Sequence, residues 1–454
     1  MFTKIAARIL ATVLPLVMAF NGLTFSVPFL GGKTEISYDF SNSEAGSAAG
    51  TVTVSSSVNG DYEIYWGTDA EEKLSVEVNG NKAYYSELCE MTVSSGSASA
   101  EIYEFTAIPE GAQTVLAFRN RVLMASADIP DEKLADNGGK TYSFGALSDL
   151  HFNRYNFSLS GDDAQLTFPN ALTFLSAFDI SLVGMSGDLS TNGERSAFEK
   201  FNSIASRYGF PVYTCTGNHD VSSYYELKNW QELINTGVYG ENKRAGVVEV
   251  ADNGMDFVYA PSEAKGDVFI FFSQYRWDYN KPTSRLVTDE QLDWLSAQLE
   301  KYKNETVFLF FHTFLANADG DPDMGEGNLK NNVGNSYDLV FTPGTADEAR
   351  FRELMKEYKN VVFFNGHSHW AYDMQKFNPQ MNITDYNGEY ATMVHISSVS
   401  SPRRTTANSL ATTEHAMRSS EGMLVTVYPE KIVFTACDFL SGELLAYATY
   451  VIEK

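Results

Sequence analysis

Residues 211–220 read Pro-Val-Tyr-Thr-Cys-Thr-Gly-Asn-His-Asp, a short apolar run that passes directly into a polar turn. The run at 211–215 is typical of a buried β-strand, because it is short, apolar and rich in β-branched and aromatic residues. Gly217 lets the backbone turn sharply, so that Asn218 and His219 can direct their side chains into one pocket. A strand that ends in such a turn is the unit from which the fold of this chain can be deduced.

Four other apolar runs end in the same way. The predicted strands cover residues 142–147, 180–186, 307–311 and 361–364. The polar clusters that follow them are 148–151, 187–188, His312 and 365–369. Together with the turn at 216–220, these strand ends hold five of the seven histidines. Helix-length amphipathic stretches at 194–208, 289–303 and 346–358 alternate with the strands, which indicates an α/β core. Because ligands bind at the carboxyl ends of strands in open α/β sheets, we expect these clusters to converge.

The residues at the strand ends are of a kind that binds metal. The set is Asp149, His151, Asp188, Asn218, His312, His367 and His369. It offers oxygen and imidazole nitrogen donors and no thiolate, which suits Mn, Fe or Zn. Seven ligands are too many for one ion of ordinary coordination, whereas two ions that share one carboxylate would use them all. In extended backbone, side chains two residues apart point the same way, so both ends of D-x-H and of H-x-H can reach a metal.

Taken in order, these motifs resemble the calcineurin-like metallophosphoesterase family. They are D-x-H at 149–151, G-D at 187–188, G-N-H-D at 217–220, the lone His312 and G-H-x-H at 366–369. The resemblance covers about residues 142–440 and implies a two-sheet β sandwich flanked by helices, with two metal ions at one edge. The predicted fold class is therefore α/β, preceded by a small all-β sandwich of immunoglobulin or fibronectin type.

The resemblance also implies a role for each residue. Asp149, His151 and His369 would bind the first ion, and Asn218, His312 and His367 the second. Asp188 would bridge the ions, His219 would face the leaving group as a catalytic acid, and Asp220 would orient His219 or a neighbouring ligand. The reaction implied is hydrolysis of a phosphate ester by a metal-bridging hydroxide. Monoesters and diesters are both open, because their hydrolases use the same metal core.

Three other features bear on the site. Asn153 and Arg154 are candidate substrate-binding residues, because arginine suits bidentate contact with phosphate, although an ordinary surface arginine is the alternative. The segment at 397–402 could reach the rim of the pocket. Thr191 and His151 stand where the purple acid phosphatase branch has tyrosine and glycine, so we expect an enzyme of the non-purple type.

The first third of the chain has a different sequence pattern. From 33 to 136 it consists of short alternating runs separated by turn signals such as Asn59-Gly60 and Asn79-Gly80. Several short strands over about 100 residues predict a β-sandwich module, and we expect it to have a structural or positioning role. The predicted domains are thus a segment at 1–30, the module at 33–136 and the metallophosphoesterase domain at 141–454.

The charge and the amino terminus bear on location and partners. Lys4 and Arg8 precede an apolar run at 9–20, which is typical of a secretory signal, with an uncleaved anchor as the alternative. We therefore expect a secreted or extracytoplasmic protein, with membrane contact only through that segment. The net charge of −25 disfavours nucleic-acid polymers and leaves a small phosphate ester as the expected partner. The rival interpretation is a catalytically silent binding or adhesion protein on the same fold.

Overall fold

The computed structural model describes residues 33–40, 43–134, 138–152, 164–221, 226–238, 243–275, 285–315, 324–325, 328–329, 340–341, 345–376, 379–405, 413–415 and 419–454. By its contacts the chain forms two units. The first contains the residues up to Gly138 together with Glu443–Glu453, and the second contains Gly139–Gly442. The sequence predicted a second domain that continues to residue 454, whereas the structure groups the strand Glu443–Glu453 with the first unit.

Apart from a short 3-10 helix at Asp131–Lys133, the regular structure described in the first unit is β-strand. Its strands are β1 (Thr34–Asp39), β2 (Gly50–Ser56), β3 (Gly60–Gly67), β4 (Ser75–Val78), β5 (Asn81–Tyr84), β6 (Cys89–Val93), β7 (Ser97–Ile102), β8 (Thr114–Arg119) and β9 (Val122–Asp128). One sheet has the order β1-β2-β7, another has the order β6-β3-β8-β9, and β4 and β5 form a hairpin. In β3, Tyr62, Ile64 and Trp66 are buried and alternate with more exposed residues, as the sequence pattern predicted.

The strand Glu443–Glu453 is grouped with the first unit by its contacts, and three of its backbone hydrogen bonds lead there. Ser86 N donates to Leu444 O at 2.8 Å, and Ala107 N donates to Thr449 O at 2.9 Å. Val451 N donates to Phe105 O at 2.8 Å. The sequence offered no signal for this return, since an alternating strand at the end of a chain does not reveal which sheet it joins.

The second unit contains the α/β core. Its strands are β10 (Tyr142–Leu147), β11 (Val183–Met185), β12 (Val212–Thr214), β13 (Val247–Val250), β14 (Phe257–Tyr259), β15 (Val268–Phe271), β16 (Val307–Phe310), β17 (Phe314–Leu315), β18 (Met324–Gly325), β19 (Asn328–Leu329), β20 (Val340–Phe341), β21 (Val361–Asn365), β22 (Ile383–Thr384), β23 (Thr392–His395), β24 (Arg403–Thr405), β25 (Thr413–His415), β26 (Glu421–Val427) and β27 (Lys431–Asp438). Its helices are α1 (Ala164–Ser176), α2 (Arg195–Ala205), α3 (Glu226–Leu233), α4 (Asp289–Lys301) and α5 (Ala346–Glu357).

Two sheets with parallel centres form this core. In one, the strands of the unit run in the order β12-β11-β10-β26-β27, with β10, β11 and β12 parallel. The other has the order β13-β14-β15-β16-β21-β23-β22, with β15, β16, β21 and β23 parallel. The expected two-sheet α/β fold is therefore confirmed.

Aromatic side chains fill the space between the two sheets. The ring of Phe144 on β10 lies 5.0 Å from that of Phe269 and 4.9 Å from that of Phe308, which are on β15 and β16. Gly184 on β11 leaves room for Phe310, because a Cβ atom there would lie 2.3 Å from the Phe310 ring. This dry, close-packed layer fixes the positions of the strand ends that carry the polar clusters.

The helices agree with the sequence pattern in part. Helix α4 begins with the predicted capping box, in which Thr288 and Gln291 bond each other's backbone amides. Helix α1 was not predicted, since Pro169 inside it weakens any helical pattern. Its buried face, with Phe168 and Leu172, shows that packing holds it in place. Among the described residues, no helix is long and apolar enough to cross a membrane.

Candidate metal centre

The predicted ligands come together at one edge of the second unit. Three groups of aspartate and histidine side chains have their ligand atoms within 4.8 Å of one another. The groups are Asp149 with His151 and His369, Asp188 with His151 and His219, and Asp188 with His312 and His367. Because each group shares a residue with another, they form one continuous cluster. Its members follow β10, β11, β12, β16 and β21, so both sheets supply residues.

The first group is centred on the Asp149 carboxylate. Asp149 Oδ1 lies 3.1 Å from His369 Nε2 and 3.5 Å from His151 Nε2. The Nε2 atoms of these two histidines are 2.9 Å apart. The second oxygen, Asp149 Oδ2, accepts from His367 N at 3.0 Å, which ties this carboxylate to the turn after β21. Three ligand atoms from two strand ends thus point at one small volume.

We call the group of Asp188, His312 and His367 the second group. It surrounds His312, which is fully buried. His312 Nε2 lies 3.2 Å from Asp188 Oδ2 and 3.0 Å from both Asn218 Oδ1 and His367 Nδ1. Asp188 Oδ2 is also 3.6 Å from His151 Nε2 of the first group. The Asp188 carboxylate therefore stands between the two groups.

The donor set fits metal ions better than it fits a closed hydrogen-bond network. Asp149 Oδ1 and Asp188 Oδ2 are buried and accept no hydrogen bond in the described structure, although both face histidine nitrogens. A buried carboxylate oxygen without a partner is costly, and a cation at this position would remove that cost. Oxygen and imidazole nitrogen donors in two groups that share one carboxylate suit two ions such as Mn, Fe or Zn.

The ionisation of the cluster reflects burial and mutual attraction. Burial lowers the pKa of the His151 imidazole to about 4. Burial acts on His312 in the same direction, but the Asp188 carboxylate outweighs it and raises the pKa of His312 to about 9. Since a histidine must be neutral to bind a metal, the entry of a cation would displace a proton from His312.

The backbone around the cluster adopts an unusual conformation. The φ angles are 56° at Asp149, 50° at His151, 51° at Asp188, 72° at His367 and 60° at His369. This left-handed region is uncommon for residues with a side chain, although Asp and His enter it more readily than most. Such conformations persist only where the surroundings hold them, and they cluster at functional sites.

Two glycines bring the strand-end turns into close contact with the carboxylates. A Cβ atom on Gly217 would lie 2.1 Å from Asp188 Oδ1, and one on Gly366 would lie 2.5 Å from Asp149 Oδ2. Both distances are far below ordinary van der Waals contact. Neither position can therefore carry a side chain unless the adjacent carboxylate moves.

His219 lies beside the second group and is oriented by backbone. Its Nδ1 is 2.8 Å from Thr191 O, and its backbone N donates to Asp188 Oδ1 at 2.9 Å. With Nδ1–H donating to the Thr191 carbonyl, the lone pair of the neutral ring lies on Nε2. The His219 ring centre is 4.8 Å from that of His151, so the residue borders both groups.

Asp220 holds two turns together through its carboxylate. Its Oδ1 accepts from the Ser190 amide and hydroxyl, both at 2.9 Å. Its Oδ2 accepts from Leu189 N at 3.2 Å and from Gly217 N at 3.1 Å. The carboxylate thus connects the turn after Asp188 to the turn before Asn218. Of the two roles expected for it, orienting a neighbouring ligand agrees with these contacts, and its assignment with His219 to the catalytic residues stays a prediction.

A comparison with protein families identifies the fold family. The sequence profile of the calcineurin-like phosphoesterases matches residues 142–371, half of the chain. The chain belongs to this family. Calcineurin-like phosphoesterases bind a dinuclear metal centre, and the described residues of this phosphoesterase supply candidate histidine and aspartate groups for one.

The solved structures that this chain is similar to are distant in sequence. A purple acid phosphatase from yellow lupin (Lupinus luteus) is 14% identical, with 89% of this chain and 72% of that chain covered and a TM-score of 0.42. GAP50 of Plasmodium, described as the anchor in the inner membrane complex, is 12% identical, with 69% of this chain and 88% of that chain covered and a TM-score of 0.42. Vacuolar protein sorting 29 from Cryptosporidium parvum is 11% identical, with 69% of this chain and 97% of that chain covered and a TM-score of 0.27. No curated protein matches this phosphoesterase.

The structure gathers most, but not all, of the predicted site residues. It brings together Asp149, His151, Asp188, Asn218, His219, His312, His367 and His369, whose individual roles stay predictions. Asn153 and Arg154, the predicted substrate-binding pair, lie outside the described residues. Thr191 O contacts His219 Nδ1, a supporting role that the sequence did not predict. The segment at 397–402 was expected near the rim of the pocket, and its residues Ser398 and Ser401 contact Asp149 O and His369 Nδ1.

Proposed function

We propose that this protein is an exported, metal-dependent phosphoesterase that hydrolyses a phosphate monoester or diester. The observation that carries the proposal is the pair of buried carboxylates, Asp149 and Asp188. Each directs an oxygen without a hydrogen-bond partner at histidine nitrogens from several strand ends. Membership of the calcineurin-like phosphoesterase family supports the same reaction class.

The residues of the chain have separable tasks in this proposal. Two bound divalent cations would supply positive charge for the phosphoryl oxygens and would lower the pKa of a nearby water molecule. One cation would be held by Asp149, His151 and His369, and the other by Asn218, His312 and His367. Both cations would be bound by Asp188. Thr191 O fixes the His219 ring by accepting from Nδ1–H, and the imidazolium form would give its Nε2 proton to the departing alkoxide and become neutral.

The net charge of −25 guides the choice of substrate and partner. An acidic surface repels long polyanions, so we propose a small phosphate ester and no nucleic-acid polymer. Lys4, Arg8 and the apolar run at 9–20 support export through a secretory signal. Cell fractionation and sequencing of the mature amino terminus would test the proposed export.

The activity can be tested on purified protein stripped of metal with a chelator. We expect no hydrolysis of p-nitrophenyl phosphate or of bis(p-nitrophenyl) phosphate until Mn²⁺, Fe²⁺ or Zn²⁺ is restored. The ratio of the two rates would assign the monoester or diester preference. A protein that binds two ions and hydrolyses neither compound would instead support the silent binding protein.

A further inference from the structure

A run of buried serines lies directly behind one half of the metal centre. It follows β23 and contains Ser397, Ser398, Ser400 and Ser401, which are at most 8% exposed. We call residues 398–401 the serine segment. Buried hydroxyl groups need partners, and those of this segment find them in the turn after β10 and in His369.

The serine segment donates hydrogen bonds to the backbone carbonyls around Asp149. Ser398 Oγ donates to Asp149 O at 2.8 Å, and Ser400 Oγ lies 2.7 Å from Leu150 O. Val399 N donates to Ser148 O at 3.0 Å. Three successive carbonyls of the turn are therefore bonded from one side. Because Asp149 is held at a φ of 56°, this turn needs such support to keep its shape.

The same segment also determines the orientation of His369. Its Nδ1 lies 3.0 Å from Ser401 Oγ and 3.2 Å from Ser401 O. A hydrogen on Nδ1 that donates to Ser401 leaves the lone pair on Nε2, which faces Asp149 Oδ1 at 3.1 Å. Ser398 links the two tasks, because its Oγ also accepts from Ser401 N at 2.9 Å.

The other half of the centre rests on different groups. His312 Nδ1 is 2.7 Å from Ser186 O, and the Asn218 turn is held through Gly217 N by Asp220. These supports lie on the turns after β11 and β12. A change in the serine segment therefore acts first on Asp149 and His369, and only through them on the second group.

From these contacts we propose that the serine segment is a positioning element that sets the affinity of one metal ion more strongly than that of the other. The ion concerned is the one that Asp149, His151 and His369 would hold. The inference rests on the proposed metal-dependent function, but it concerns ion binding and not turnover. Groups that orient metal ligands typically change metal affinity by about 10–100-fold when they are removed.

The experiment measures Zn²⁺ binding to full-length protein by equilibrium dialysis and elemental analysis after chelator treatment. Ser398→Ala removes the donor to Asp149 O and the acceptor for Ser401 N. Ser401→Ala removes one of two acceptors for His369 Nδ1, whereas Ser401→Thr keeps the hydroxyl. The matched control is Ser143→Ala, because Ser143 is a buried serine on β10 whose hydroxyl bonds Thr426. Thermal unfolding of the metal-free proteins reports whether each variant is folded.

We expect wild type and Ser143→Ala to bind two Zn²⁺ tightly. Ser398→Ala should bind one ion with wild-type affinity and the other about 10–100-fold more weakly. Ser401→Ala should show a smaller loss at the same ion, and Ser401→Thr should restore it. If Ser398→Ala does not fold, the Ser401 pair decides the question.

Wild-type affinity for both ions in the folded alanine variants would overturn the inference. So would an equal loss at both ions, or fewer than two Zn²⁺ bound by the wild type. A wild-type protein that binds two ions but hydrolyses no ester would refute the proposed function alone and leave this inference standing.

Discussion

Gly217→Ala should disable the metal centre through a single methyl group. The new Cβ atom would lie 2.1 Å from Asp188 Oδ1, 2.5 Å from Asp188 N and 2.7 Å from Asp188 Cγ. Ordinary contact begins near 3.4 Å, so the carboxylate must retreat by roughly 1.3 Å. Metal–ligand distances tolerate a change of only about 0.2 Å. Asp188 would then no longer reach the positions that it shares between His312 and His151.

We expect Gly217→Ala to hold less than one tightly bound ion per chain and to lose roughly 10²-fold or more in turnover of an aryl phosphate. Elemental analysis after dialysis and a nitrophenolate assay measure the two effects. Gly209→Ala is the matched control, because a Cβ atom there would meet nothing within 4 Å.

A second control separates loss of stability from loss of geometry. Gly184→Ala would place a Cβ atom 2.3 Å from the Phe310 ring in the layer between the sheets. Such overpacking costs about 1–3 kcal/mol of stability, yet the folded fraction should keep both ions. If Gly217→Ala binds two ions with wild-type turnover, the close approach of the turn to Asp188 does not constrain the centre, and the argument fails.

Three further predictions concern single side chains. Asp188→Asn should lose both ions in elemental analysis, because a neutral amide has one oxygen and no charge to share, and two tightly held ions would contradict this. His219→Ala should keep both ions but lose about 10²-fold or more with an alkyl phosphate and clearly less with nitrophenyl phosphate; equal losses would exclude a leaving-group acid. Burial raises the pKa of Glu421 to about 7, so its folded-state pKa exceeds its unfolded-state value. That group should therefore lower stability by roughly 3 kcal/mol as the pH rises from about 4.5 to 7, and Glu421→Gln should remove this slope from thermal unfolding curves. A slope that is the same in both proteins would show that Glu421 does not titrate in this range.

The sequence was sufficient to predict which residues of the metal centre lie at strand ends. Apolar runs followed by Asp149, Asp188 or His312 predicted which residues stand at strand ends, because a strand and its turn are adjacent in the chain. The bounds of β10 were predicted as the structure has them, at Tyr142–Leu147, and β11 is shorter than its apolar run at 180–186. A short apolar run marks the existence of a buried strand more reliably than its length.

The groups that hold the ligand-bearing turns in place depend on contacts between residues far apart in the sequence, which a local sequence pattern does not reveal. Ser398 bonds Asp149 O across a separation of 249 residues, and Asp220 bonds Ser190 across 30. The left-handed conformation of His151 and His369 was likewise not predicted, since neither position is a glycine. Helix α1 was missed for a related reason, because tertiary packing overrides the effect of Pro169.

The return of Glu443–Glu453 to the first unit has a consequence for synthesis on the ribosome. Nine strands of that unit are complete once Asp128 has been added, but its last strand follows only after about 300 more residues. At about 5–20 residues per second, translation of that interval takes roughly 15–60 s. During this time the segments around Ser86 and Ala107 lack the backbone partners that Leu444 and Thr449 later provide. The nascent chain must therefore keep these two segments of the first unit without their final backbone partners while the second unit is made.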